Sequence, residues 1–252
     1  MEKIRSGYVI RGYQLKEMIG AGGFSTVYRA ESVDPFPLYN SIIAVKVLHP
    51  RRLERDMIRQ FIKEGKIAKM LEHPNIVKVF DVFEEDGNFF IFMECLDTDL
   101  MKGIRTKRYI FNSKNLIDII IKAAKGISYI HQNGIIHKDI NPSNVLITYS
   151  LEKIKITDFG LSKVERRIFN GREYKGGTEG YIAPEIYKGE RASERSDIYS
   201  FGKTVEKIYK ELNIPMPEKI KNIIKISTDP DPQNRFESME GIIYILETRK
   251  IE

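Results

Sequence analysis

Residues 135–147 read IIHKDINPSNVLI, and residues 156–160 read ITDFG. Between Asn144 and Asp158 the sequence reads as a hairpin of apolar strands. Around that hairpin the sequence sets Asp139 at the mouth of a loop, Asn144 five residues on, and Asp158 just past the second strand. Two carboxylates and an amide are hard oxygen donors, suited to holding a divalent cation against a polyphosphate. The arrangement implies phosphoryl transfer.

Upstream, YQLKEMIGAGGFSTVYRAES (13–32) alternates apolar and polar residues on both sides of a glycine cluster, predicting two strands joined by a tight turn. IIAVKVL (42–48) predicts a further strand. Between Arg51 and Leu71, the residues Leu53, Met57, Phe61, Ile67 and Leu71 recur near helical spacing, and His73-Pro74-Asn75 is expected to end that helix. IVKVFDVFEEDGNFFIFMECL (76–96) reads as a hairpin turning at Asp86-Gly87-Asn88. The remainder is mainly helical in pattern. No repeat or low-complexity linker separates the two parts, so the boundary near Cys95 to Asp99 is expected to be a hinge. Lys46 stands inside an apolar strand, where an unpaired ammonium is costly to desolvate, and an anionic partner is expected. Gly20, Gly22 and Gly23 lack Cβ, which lets backbone N–H groups approach phosphate oxygens closely.

GAGGFSTV (20–27), IAVK (43–46), EHPNIV (72–77), HKDINPSN (137–144), DFG (158–160), GTEGYIAPE (177–185), SDIYSFG (196–202) and DPQNRF (231–236) stand in the order and spacing of the eukaryotic-type protein kinases. The chain resembles that family along nearly its whole length. Singly these motifs are weak; together and in order they are specific. The resemblance implies an α+β, two-lobed fold in a single domain over 1–252. A small mainly-β N-lobe with one helix covers 1–95, and a larger, shortened, mainly-α C-lobe covers 96–252. It implies transfer of the γ-phosphate of ATP to Ser/Thr hydroxyls of protein substrates, with Mg²⁺ as the metal and Mn²⁺ as an alternative.

By the same resemblance, Lys46 pairs with Glu64 and the pair clamps the α- and β-phosphates. Gly20, Gly22, Gly23, Phe24 and Ser25 form a flap over the phosphates; the family usually has glycine where Ser25 stands, although Ser25 still offers its N–H. Ile19, Val27, Ala44 and Leu146 match the apolar slot for adenine, a role compatible with ordinary core packing. The main chain of Glu94 and Leu96 matches the positions that read the adenine edge, with Met93 guarding the pocket behind, while Cys95 is expected to be a small buried apolar residue. Asp139 matches the catalytic base, and Asn144 and Asp158 match the metal ligands. Thr178 matches a threonine that bonds the catalytic aspartate and favours Ser/Thr acceptors. His137 is expected to be structural, packed against Phe159. Asp197 is expected to hold the catalytic-loop backbone, and Glu185 with Arg235 to form a buried ion pair.

Three departures from the family pattern matter. Asn141 stands where Ser/Thr kinases place a lysine that contacts the γ-phosphate. Losing one charge-assisted hydrogen bond there corresponds to about 1.5–3 kcal/mol, or roughly 10- to 150-fold in rate. A real but slow enzyme is expected, and Asn141→Lys is expected to raise turnover. Lys138 stands where many members have an arginine that grips a phosphorylated activation loop, a bidentate contact that an ammonium mimics poorly. From Lys163 to Gly177 there is no serine or threonine, and Tyr174 carries the single hydroxyl, so activity is expected not to require Ser/Thr phosphorylation there. In the helical part, Ile198, Phe201, Val205, Ile208 and Leu212 mark one helix, NIPMP (213–217) breaks it, and only PEKIKNIIKIS (217–227) precedes DPDPQNRF. The family fits two helices in that interval. A reduced docking surface implies a short unstructured acceptor segment, or recognition through the basic activation segment.

Composition sets the outer limits. A chain of 252 residues, 42% hydrophobic and 30% charged, is long enough for a proper core. The one cysteine excludes an internal disulfide. The start of the sequence lacks a signal-like apolar run, and the most apolar tract, NLIDIIIKAAKGISYI, is broken by Asp118, Lys122 and Lys125, so a cytoplasmic protein without a membrane partner is expected. The net charge of +6 is concentrated at 50–55 and 166–175. Most of this charge reads as solvated surface, and the rest favours acidic protein substrates over nucleic acid. Oligomeric state is not legible. Two other classes compete: a weakly active or inactive kinase-fold scaffold, suggested by Asn141 and the shortened lobe, and a small-molecule phosphotransferase, disfavoured by the complete DFG and APE segments.

Overall fold

A computed structural model describes residues 4–22, 25–48, 55–158, 166–169, 172–175 and 177–248. The chain divides into two compact units, residues 1–72 with 77–96, and residues 73–76 with 97–252.

The first unit is a six-stranded antiparallel sheet with one helix. Its strands are β1 (Val9–Ile10), β2 (Tyr13–Ala21), β3 (Ser25–Ser32), β4 (Ile42–Leu48), β5 (Val79–Glu85) and β6 (Asn88–Glu94), in the order β1-β2-β3-β4-β6-β5. Register and alternation sort the side chains. The pairs Val45↔Phe92 and Val47↔Phe90 lie on one face, which joins Tyr13, Leu15, Ala30 and Ile43 in a fully buried core. The other face carries Val27, Ala44, Lys46, Ile91 and Met93, through the pairs Val27↔Lys46, Lys46↔Ile91 and Ala44↔Met93. Helix α1 (Arg55–Met70) packs on this second face, against Val82 and its partner Ile91. Gly65 makes the approach feasible, because a Cβ there would lie 2.9 Å from Val82 and 3.2 Å from Ile91.

Two boundaries differ from expectation. Helix α1 stops at Met70, ahead of the His73-Pro74 breaker, and Arg51 to Glu54, including Leu53, lie outside the described residues. The β5–β6 hairpin turns on two residues rather than three: Asp86 and Gly87 both adopt positive φ (51° and 71°), and Glu85 pairs directly with Asn88. Two left-handed residues in a two-residue loop match the right-handed twist of the flanking strands.

The second unit is mainly helical. It contains β7 (Thr98–Asp99), α2 (Leu100–Arg105), α3 (Ser113–Gln132), β8 (Val145–Ile147), β9 (Ile154–Ile156), β10 (Arg166–Phe169), β11 (Arg172–Lys175), α4 (Pro184–Tyr187), α5 (Glu194–Leu212), α6 (Glu218–Ser227) and α7 (Met239–Thr248). Helix α3 buries Leu116, Ile120, Ala123, Ile127 and Ile130, one stripe at helical spacing. At Gly126 of this helix a Cβ would come within 2.6 Å of the Asn75 carbonyl. That bare position lets residues 73–76 lie against the helix, where the Asn75 carbonyl accepts from Ile156 N–H (2.9 Å) and its amide donates to the Ile154 carbonyl (2.9 Å).

Strands β10 and β11 form an antiparallel hairpin inside the activation segment, a feature the sequence reading left out. The Asn170-Gly171 dipeptide between them is a strong hairpin-turn signal. Among the described residues, α6 is the single helix between the left-handed end of α5 at Asn213 (φ 50°) and the turn at Asp231, so this unit is shortened as expected. The whole is an α+β fold of a small mainly-β lobe with one helix and a larger mainly-α lobe. No helix among the described residues is long and apolar enough to cross a membrane.

Candidate active site

The loop from His137 to Asn144 is tied down from below by Asp197 on α5, a residue only 1% exposed. Its Oδ2 accepts from the His137 N–H (2.7 Å) and its Oδ1 from the Lys138 N–H (2.8 Å), and His131 Nε2 lies 2.8 Å from Oδ2. These bonds hold Lys138 at φ 69°, a left-handed conformation that costs a non-glycine residue on the order of 1 kcal/mol or more. The Lys138 side chain is exposed. His137 is 1% exposed; its Nδ1 accepts from the Asp139 N–H (3.2 Å) and its Nε2 donates to the Thr157 carbonyl (3.1 Å). That pattern fits the tautomer with its proton on Nε2, and both ring nitrogens serve the loop. Phe159, its expected packing partner, lies outside the described residues with Gly160.

Asp139 is half-buried, and neutral donors reach both carboxylate oxygens. Oδ1 accepts from the Thr178 hydroxyl (2.7 Å) and the Asn141 amide (3.1 Å), while Oδ2 accepts from the Asn144 amide (3.1 Å). The Asn144 amide also donates to the Asp139 carbonyl (2.7 Å), so Oδ1 is the atom Asn144 has for a cation. The Thr157 N–H donates to the Asn144 carbonyl (3.0 Å), bringing in the next residue, Asp158, at φ 58°. An amide oxygen and a carboxylate suit Mg²⁺, which takes few protein ligands and keeps several waters. Consistent with so sparse a donor set, no cluster of three or more His, Cys, Asp or Glu is poised for a metal among the described residues.

Asn141 serves the loop itself. It is 5% exposed and turned inward, and does not reach outward as the lysine of the family pattern would. Its Oδ1 accepts from the Ser143 N–H (2.9 Å), capping the single 3₁₀ turn Pro142–Asn144. Its Nδ2 lies within hydrogen-bond reach of the Asp139 carbonyl (3.0 Å), Asp139 Oδ1 (3.1 Å) and Thr178 Oγ1 (3.3 Å). The short amide satisfies the turn and the aspartate together.

In the first unit, Lys46 sits in mid-β4, 8% exposed, between its cross-strand partners Val27 and Ile91. Glu64 belongs to α1 next to Gly65, the point of closest approach to Ile91; its side chain lies outside the described set. Gly20 pairs with Val27, and the Gly22 N–H donates to the Ser25 carbonyl (2.8 Å), closing the β2–β3 turn. Gly23 and Phe24 lie outside the described residues. Ile19 is half-buried in β2; Ala44, Met93 and Leu96 are buried. The Glu94 N–H donates to the Lys78 carbonyl (2.8 Å), so its own carbonyl is the main-chain group it can offer a ligand. Cys95 is half-buried rather than buried, with Sγ 3.7 Å from the Leu96 carbonyl. Leu146 lies in β8 of the second unit, paired with Asp99 and Lys155.

Glu185 and Arg235 form a buried bidentate pair at 2.7 and 2.8 Å, and Arg235 also donates to the carbonyls of Asp229 and Arg195. Sequence reasoning missed His131, Asn75 and Gly126, which position the loop and its strands from behind. Asn75 lay within a quoted motif, whereas a histidine or glycine inside an apolar helix gives no signal of its own.

A family model described as the protein kinase domain matches residues 13–241. The chain is similar to the serine/threonine-protein kinase PrkC of Bacillus subtilis, 30% identical over 259 residues, covering 91% of this chain and 39% of that protein. It is also similar to the probable serine/threonine-protein kinase PknB of Lactococcus lactis (30% identical, 92% of this chain, 41% of that protein). A third relative is the serine/threonine-protein kinase CTR1 of Arabidopsis thaliana (33% identical, 75% of this chain, 23% of that protein). The chain thus spans about two fifths of the length of these bacterial relatives. A sheet-and-helix lobe, a helical lobe carrying an aspartate-centred loop, and a family match over most of the sequence lead to one assignment: the chain belongs to the eukaryotic-type protein kinase family.

Proposed function

We propose that this chain transfers the γ-phosphate of ATP to serine or threonine hydroxyls of protein substrates. The observation that carries the reading is the Asp139 carboxylate, fixed by Thr178, Asn141 and Asn144 in a loop anchored on buried Asp197. A carboxylate so oriented is suited to receive a proton from an acceptor hydroxyl. In the transfer, a bond forms between the acceptor oxygen and the γ-phosphorus, and the bond from that phosphorus to the β–γ bridging oxygen breaks. The acceptor proton passes to Asp139 and ADP leaves. Asn144 and Asp158 would hold Mg²⁺, or Mn²⁺ in its place; when bound, the metal neutralises phosphate charge.

The first unit is assigned the nucleotide. Lys46, with Glu64, meets the α- and β-phosphates; Gly20, Gly22, Gly23, Phe24 and Ser25 offer backbone N–H groups; Ile19, Val27, Ala44 and Met93 line the adenine, with the Glu94 carbonyl and Leu96 N–H on its edge. The absence of serine and threonine from Lys163 to Gly177 supports activity without Ser/Thr phosphorylation of that segment, and the basic residues at 166–175 support acidic protein substrates.

Autophosphorylation and transfer to acidic casein and basic myelin basic protein, with labelled ATP and Mg²⁺, test the reading. Wild type is expected to transfer label, Asp139→Ala and Lys46→Met are expected not to, and phosphatase treatment is expected to leave the rate unchanged. Equal labelling by wild type and Asp139→Ala would remove the assignment.

A further inference from the structure

We infer that Asn141 is a positioning residue, which aims the Asp139 carboxylate with neutral donors and caps the turn behind it, so that a lysine at this position lowers activity. The inference rests on the proposed role of Asp139.

Pro142 opens the 3₁₀ turn and has no N–H, so the first backbone donor of the turn is that of Ser143. Asn141 Oδ1 takes it at 2.9 Å. With the amide oxygen so committed, the nitrogen must face the other way, where three acceptors lie within 3.3 Å: the Asp139 carbonyl, Asp139 Oδ1 and Thr178 Oγ1. Thr178 in turn donates its hydroxyl to the same Oδ1 at 2.7 Å. The three side chains close a ring in which the Asn141 amide donates to Thr178, Thr178 donates to Asp139, and the amide donates to Asp139 as well. Every donor is neutral, so the ring sets the direction of the carboxylate without adding charge beside it.

Lysine has donors but no acceptor, so it would leave the Ser143 N–H uncapped. At a position 5% exposed it would also bring a longer, charged chain into space that the amide fills. This reverses the expectation drawn from the family pattern alone.

Asn141→Ser separates the two roles, because a serine hydroxyl still caps Ser143 but cannot reach Asp139. Its melting temperature is expected to stay near that of wild type. With Mg·ATP and casein, its kcat is expected to fall about 10-fold or more while KM for ATP changes by less than about 2-fold. Asn141→Lys is expected to turn over more slowly than wild type. A faster Asn141→Lys, or an Asn141→Ser with wild-type kcat, would overturn the inference. If wild type fails to turn over ATP, the proposed function fails instead, and melting temperatures decide the role of Asn141: Asn141→Lys is expected to melt below wild type, and an Asn141→Lys as stable as wild type would overturn the inference.

Discussion

The hydroxyl of Thr178 donates to Oδ1 of Asp139 at 2.7 Å, linking positions 39 residues apart in the sequence. The bond connects the segment ahead of α4 with the loop ahead of β8, so the aspartate is held by the end of the activation segment as well as by its own loop. Thr178→Val keeps the shape and removes the donor; turnover is expected to fall roughly 10- to 100-fold. Thr178→Ser, which keeps the hydroxyl, is expected to retain most of the rate. Initial-rate measurements on both variants decide the matter, and a fully active Thr178→Val would refute it.

The Glu185–Arg235 pair is almost fully buried and further satisfied by the carbonyls of Asp229, Arg195 and Pro230. Removing one partner strands a charge in the interior. Glu185→Ala or Arg235→Ala alone is expected to cost about 3–5 kcal/mol in urea unfolding, and the double substitution less than the sum of the two. Additive losses would show that the pair is not coupled.

Glu240 joins α7 to α3 through Ser128 (2.5 Å) and Gln132 (2.7 Å). Partial burial works to raise its pKa, but hydrogen bonds from Ser128, Gln132 and Ser238 prevail and hold it at about 2. A depressed folded-state value gives stability that is complete above the ordinary carboxylate range and is lost as pH falls toward 2. Because the residue is exposed, solvent screening reduces the contribution to about 1 kcal/mol. Glu240→Gln is expected to flatten the stability profile between pH 5 and 2, in the order of magnitude given by that linkage. Chemical denaturation across this range measures the effect, and unchanged profiles would contradict it.

Tyr209 is 2% exposed, its hydroxyl has no hydrogen-bond partner among the described residues, and burial pushes its pKa up to about 12. An unsatisfied buried hydroxyl is a cost that phenylalanine avoids with the same ring. Tyr209→Phe is expected to stabilise the fold by about 1 kcal/mol. A loss of melting temperature would point to a partner for the hydroxyl.

Much of the fold was readable because local pattern and global pairing agree. The alternation in IIAVKVL assigns Val45 and Val47 to the core and Ala44 and Lys46 to the opposite face, as the register with β6 has it. The β10–β11 hairpin is less legible, because in RRIFNGREYK four basic residues interrupt the apolar alternation and the Asn-Gly turn signal stands alone. The contacts of Asn141 are illegible in advance for a related reason: comparison with a lysine asks what is lost, whereas its cap depends on the neighbouring proline and its amide contact on Thr178, 37 residues away. Gly126 and Gly65 could not be read in advance, since a glycine within a helix shows its use only when the surface it admits is in place.

Asp197 grips the loop through main-chain N–H groups at 137 and 138 rather than through side chains. A grip of that kind makes no use of the side chain at 138. The shape of the loop and the chemistry displayed at its rim are therefore separate inheritances: lysine there could be exchanged for arginine, altering the charge pattern of the rim while the Asp139 carboxylate stays where it is.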